Sequence, residues 1–156
     1  MLTRRTRVCS WIARVAVLLV FAWNLQCAFA FLFSPEAYVG GFELAGVSGI
    51  AAIQGIAVAF LMWNATYPLV ILNPLRHYAL FAVVLAQQLI GLVGESYILL
   101  SLEPGHTSLA ASLSRFIIFD GVGLALMALG FVLLLPHYIS NRKAGRTRGE
   151  GSRGLT

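Results

Sequence analysis

Charge is scarce in this chain. Only 11% of its 156 residues are charged, against about 25% in an ordinary soluble domain, and just six are acidic. That inventory cannot cover the surface of a soluble globule. Cysteine is nearly absent too. Cys9 and Cys27 fall in what reads as one helix, about 27 Å apart at 1.5 Å per residue, so they cannot bridge each other. There is no CxxC, which excludes dithiol redox chemistry carried by this chain alone. The three histidines, His77, His106 and His137, fall at the edges of the apolar runs, where no facing pair could hold a haem at mid-membrane depth. No Gly-rich phosphate loop, GxSxG element or Ser/His/Asp set occurs. No ExxH spacing supports a carboxylate-bridged pair of metals. Asp120-Gly121-Val122-Gly123 resembles a calcium loop only in its letters, because it lies inside an apolar run. No catalytic residue, metal ligand or cofactor-binding residue is therefore assigned, and no cofactor is expected beyond a bound quinone or lipid.

What the chain does have is hydrophobic length. Hydrophobic residues make up 59% of it, gathered in runs at about 11–33, 42–63, 78–100 and 112–135. Each is long enough to cross a hydrocarbon layer of about 30 Å as a helix. Within the first, Ala28-Phe29-Ala30 has the form of a signal-peptide cleavage site. The run continues through Phe31, Leu32 and Phe33, however, which favours a retained helix. Turns follow from Ser34-Pro35 and the Gly40-Gly41 pair, from Asn73-Pro74, and from Pro104-Gly105. Pro136 closes the fourth run. The expected organisation is a basic amino-terminal segment (1–10), a transmembrane domain (11–135) and a basic, disordered tail (136–156).

The net charge of +5 does not point to nucleic acid, because the basic residues crowd the helix ends. Arg4, Arg5 and Arg7 precede the first run, Arg76 lies between the second and third, and Arg142, Lys143, Arg146, Arg148 and Arg153 follow the fourth. Glu36 and Glu103 occupy the other two loops. The positive-inside rule then gives an all-α, four-helix membrane protein with both termini cytoplasmic. Its short connections favour an up-down-up-down bundle.

The candidate site is a set of polar residues inside these runs, where each needs a partner. Asn24, Gln54, Gln87, Gln88 and Asp120 fall within about 5 Å of the middle of their runs; Glu95 and Arg115 lie about 9 and 12 Å from the middle, toward the outside. Gln88, Gly91 and Glu95 share one helix face, as do Glu43 and Gln54 on the second helix, and Asp120 with Phe116, Gly123 and Met127 on the fourth. Arg115 stands about 140° round from Asp120 at 100° per residue, which makes Glu95 its expected ion-pair partner. Such residues can simply hold helices in register through polar contacts. They can also line a polar cavity in which a carboxyl such as Glu95 exchanges protons with a lipid-soluble molecule. Small residues at four-residue spacing (Ala45 and Gly49; Ala51, Gly55 and Ala59) are expected to admit a neighbouring helix.

Three patterns carry a family likeness: FLFSPEA at the end of the first helix, GGFELAGVSGIAAIQG opening the second, and FDGVGLALMALG in the fourth. With them the chain resembles the DoxX-like group of small four-helix bacterial membrane proteins. The resemblance implies an inner-membrane accessory subunit, in some members linked to quinone- or thiol-dependent oxidoreduction. This chain departs from the thiol branch in having no dithiol. The expected function is that of a non-catalytic accessory or assembly subunit, with membrane lipid and other membrane subunits, or further copies of itself, as partners. A binder of a quinone-like molecule, or an oxidoreductase-associated enzyme for one, is the alternative. A proton-coupled carrier working as an oligomer comes third.

Overall fold

The computed structural model describes the backbone of residues 4–153 and the side chains of residues 4–142. Along these residues the chain is all-helical. Helix α1 spans Arg4–Phe33, α2 Glu36–Val39, α3 Gly46–Asn64, α4 Tyr67–Leu72, α5 Tyr78–Ser101 and α6 Thr107–Arg153, with a 3-10 turn at Gly40–Phe42. Four segments are long and apolar enough to cross a membrane: α1, α3 with α4, α5, and α6 as far as Arg142. Large apolar side chains stand exposed on each of them, among them Trp11, Met62, Ile90 and Val132, as suits a multi-pass membrane protein whose surface meets lipid.

The break between α3 and α4 has a local cause. Pro68 has no N–H to give the carbonyl of Asn64, and its ring crowds that carbonyl. The chain turns there, with the Asn64 amide donating to the Phe60 carbonyl at 2.8 Å. Asn73 forms the next turn by accepting the Arg76 N–H on its side-chain oxygen at 3.1 Å, and α5 follows. Helix α3 begins at Gly46, four residues later than the apolar pattern indicates. Before it, Gly40–Phe42 forms the 3-10 turn and Glu43 takes a left-handed backbone, φ +56°.

Helix α6 does not stop at Pro136. Its backbone is helical to Arg153, with Pro136 inside the helix, which corrects the expectation that Pro136 closes the fourth run. A proline removes one backbone hydrogen bond, and apolar helices tolerate that loss. Residues 154–156 lie outside the described part.

Helix α1 is the hub, packing against α3, α4 and α6, while α5 packs against α6 and α4. Between apolar helices in lipid, close packing and hydrogen bonds replace hydrophobic burial as the source of cohesion. Helices α1 and α6 come close at Gly130, where a Cβ would lie 2.8 Å from the Ala13 Cα. One aromatic cluster gathers around Phe31, with Tyr38 at 4.6 Å and Phe116 at 6.2 Å between ring centroids. Another stacks Phe131 and Tyr138 on Tyr78 at 4.2 and 4.3 Å. The Ala51-Gly55-Ala59 stripe, expected to receive a neighbouring helix, is exposed, and a Cβ at Gly55 would meet nothing within 4 Å.

Candidate functional site

The polar residues divide into a buried chain, an adjoining cavity and a surface cap. The buried chain begins with Tyr67, whose hydroxyl donates to Gln88 Oε1 at 3.2 Å. Gln88 Nε2 donates in turn to Asp120 Oδ1 at 2.8 Å. All three residues are buried, Gln88 to 1% exposure. Gly91 lets the carboxylate lie against α5, because a Cβ there would collide with Asp120 Oδ2. Gly123 plays the same part on α6, leaving room for the Gln88 amide and for Val20 of α1. The helix face shared by Gln88, Gly91 and Glu95 is thus the one turned toward Asp120.

Beside this chain lies a void of about 20 Å³ bordered by Asn24, Trp63, Asn64, Gln88, Glu95 and Asp120 together with aromatic side chains. It has room for about one water-sized group. Glu95 Oε2 and Asn64 Oδ1 are both buried beside it with no hydrogen-bond partner among the described residues. Two carboxylates and three amides therefore face one small space, and the polar core is incompletely paired.

A second and larger cavity, about 360 Å³, adjoins the first. Asn24, Phe116 and Phe119 border both, whereas Glu95 lines only the smaller and Arg115 only the larger. The larger one lies between α1 and α6 beneath the α2 turn. Its walls are Trp23, Phe31, Tyr38, Phe42, Phe116 and Phe119, and its polar groups are Asn24, Cys27, Ser112 and Arg115. The residues arrive there by helical phase: Trp23, Cys27 and Phe31 recur every four along α1, and Ser112, Arg115, Phe116 and Phe119 share a face of α6. Arg115 Nη2 donates to Ser112 Oγ at 3.0 Å, and Ser112 donates to the Gly41 carbonyl at 2.7 Å. Trp23, 61% exposed, stands at the rim.

The expected Glu95 to Arg115 pair does not form. Arg115 turns to the larger cavity and is held there by Ser112 one turn earlier, while Glu95 faces Asp120 across the smaller void. The one ion pair among the described residues joins His106 Nδ1 to Glu43 Oε2 at 2.5 Å. Glu43 also accepts the Leu109 N–H at 3.2 Å, so it caps the start of α6 from across the bundle and takes no part in the buried chain. The His106 hydrogen bond, followed by that from Leu109, holds its carboxyl below the ordinary carboxylate range.

Two more of the expected residues stand apart from the cluster. Gln54 donates to the Leu32 carbonyl at 3.2 Å, which satisfies the end of α1. Gln87 accepts from the Thr66 hydroxyl at 3.4 Å. Asn24, Gln88, Glu95 and Asp120 are brought together. Trp63, Asn64 and Tyr67 stand at the end of an apolar run, where such residues read as an interfacial exit, yet Trp63 and Asn64 border the small void and Tyr67 starts the buried chain. The four-residue recurrence of Trp23, Cys27 and Phe31 was the available signal for the larger cavity.

No family model, curated protein or solved structure matches the chain. The chemistry of the site must be read from its geometry. Aromatic walls accept a ring or an acyl chain, Arg115 and Asn24 can donate to its oxygens, and a pair of carboxylates stands behind Phe116 and Phe119.

Proposed function

We propose that this protein is a non-catalytic membrane subunit that binds a lipid-soluble small molecule with an oxygen-bearing head, a quinone being the model ligand. The observation that carries this reading is the 360 Å³ aromatic-walled cavity with Arg115 inside it, a volume within the range of small-molecule sites. The ligand head lies against Arg115 and Asn24, and its apolar part between Phe31, Phe116 and Trp23. Glu95 and Asp120 stand close enough to the same walls to tune the polarity seen by that head.

The same reading places the protein in a bacterial inner membrane as an up-down-up-down bundle with both termini cytoplasmic, as its DoxX-like resemblance and basic flanks imply. Supporting the antiparallel course of α1 and α6, Ala13 meets Gly130, Val20 meets Gly123 and Phe31 meets Phe116. A second reading, an assembly subunit, is favoured by the exposed small-residue face of Ala51, Gly55 and Ala59, which is narrow enough to seat a helix of another subunit.

Native mass spectrometry of protein taken from its own membranes into mild detergent tests the binding reading. The expected spectrum shows one added mass, held one to one. That mass disappears in Cys27→Trp, where the indole fills the cavity, and the variant keeps its melting temperature to within a few degrees. A wild-type spectrum with no retained molecule counts against binding.

A further inference from the structure

At the end of the bundle opposite the aromatic cavity, three arginines from separate parts of the chain converge. Arg14 comes from α1, Arg76 from the turn before α5 and Arg142 from α6, and together they line a cavity of about 450 Å³ with Ser10, Asn73 and other polar groups. Topology alone puts arginines near the ends of helices; it does not gather three around one concavity. Among the described residues no carboxylate lies within ion-pair distance of any of them, the one ion pair being that of His106 with Glu43.

Two of the three guanidiniums are also oriented by their surroundings. Arg14 donates to the Leu72 carbonyl at 2.7 Å and lies over the Trp11 ring at 5.4 Å, while its Nε is buried without a partner. Arg142 sits over the Tyr138 ring at 5.9 Å, and Tyr138 is itself stacked on Tyr78. Asn73 fixes the backbone of Arg76 through the 3.1 Å bond to its N–H. A guanidinium carries five N–H donors in a planar fork that matches phosphate oxygens, and among the described residues these donors are largely without partners. Exposed apolar side chains, Trp11 at 62% and Leu72 at 69%, flank the group, so a molecule seated here has acyl-compatible surface beside its charged head.

We infer that this cavity binds the phosphate-bearing headgroup of an anionic phospholipid, with Arg14, Arg76 and Arg142 as the anion-binding residues and Ser10 and Asn73 as hydrogen-bonding ones. The site is separate from the aromatic cavity and stands whether or not that cavity is occupied. A basic concavity at the face that meets the anionic leaflet is the geometry that headgroup recognition requires. Phosphate chemistry could equally be supplied by a soluble molecule, and the test separates the two sources.

The full chain is placed in nanodiscs of phosphatidylcholine, alone or with a tenth of the lipid replaced by cardiolipin, and the lipid retained on release into mild detergent is measured by native mass spectrometry. One cardiolipin per chain is expected for the wild type, with retention at least ten-fold lower in Arg76→Gln and Arg142→Gln. Both residues are exposed, so these variants keep their fold even where Arg14→Gln, which loses the Leu72 contact, does not. Arg5→Gln, an equal loss of charge on the opposite face of α1, should retain lipid as the wild type does. Equal retention in Arg76→Gln, Arg142→Gln and wild type overturns the site. So does a loss in Arg5→Gln as large as theirs, which would mean attraction by net charge alone. Pyrophosphate added as a soluble probe should displace cardiolipin only weakly. Full displacement by it would overturn the lipid as ligand and assign the site to a soluble phosphate.

Discussion

Gly91→Ala should destabilise the bundle by about 1–3 kcal/mol, the usual cost of overfilling a packed interior. The new methyl has nowhere to go, since it would collide with Asp120 Oδ2 and lie 2.8 Å from the Trp63 ring. Moving the carboxylate aside breaks the 2.8 Å bond from Gln88, which leaves a buried amide and a buried carboxylate without each other and adds to the cost. The control is on the same helix. A Cβ at Gly94 meets nothing within 4 Å, and alanine is the better helix former by about 1 kcal/mol, so Gly94→Ala should be neutral or stabilising. Thermal unfolding of both variants in the same detergent makes the comparison. Equal melting temperatures would mean that Asp120 does not lie against α5.

The second large effect is expected at the crossing of α1 and α6. Gly130→Ala places a methyl 2.8 Å from the Cα of Ala13 and 3.2 Å from its Cβ. Unlike the end of a flexible side chain, backbone cannot yield, so the helices must separate at this point. Ala13 is fully buried, and the separation forfeits packing along the whole seam, which in lipid is the main source of cohesion. A loss of about 1–3 kcal/mol is again expected. Ala13→Gly in the same chain should recover part of it by returning space at the contact. A double variant no more stable than Gly130→Ala alone would show that α1 and α6 do not cross at Ala13 and Gly130.

Much of this molecule is legible in its sequence because the apolar runs are long and their boundaries carry prolines. The spans follow from hydrophobic length, and the breaks at Pro68 and at Asn73-Pro74 from local chemistry. Helix α3 starts later than its apolar pattern because Gly40–Phe42, apolar enough to read as helix, forms a 3-10 turn that delivers Glu43 to α6. Nothing local in Glu43 foretells a partner 63 residues away at His106. Helical phase grouped Gln88, Gly91 and Glu95 correctly on one face. It does not say which element the Ser112 and Arg115 face of α6 meets, because that depends on Ser112 finding the Gly41 carbonyl. Tyr67 is hidden for a related reason: an aromatic residue beside a proline at the end of a run reads as an interface anchor, and only the packing of α4 against α1 and α5 turns it inward.

The binding reading is tested most directly at Cys27, which lines the aromatic cavity. In a Cys9→Ala background Cys27 is the sole thiol, and its rate of alkylation by N-ethylmaleimide reports whether the cavity is filled. Slow alkylation is expected in native membranes, with a rate at least ten-fold higher after exhaustive detergent washing and slow again when the extracted lipid-soluble fraction is restored. A rate that stays the same in all three states would contradict a bound molecule between α1 and α6.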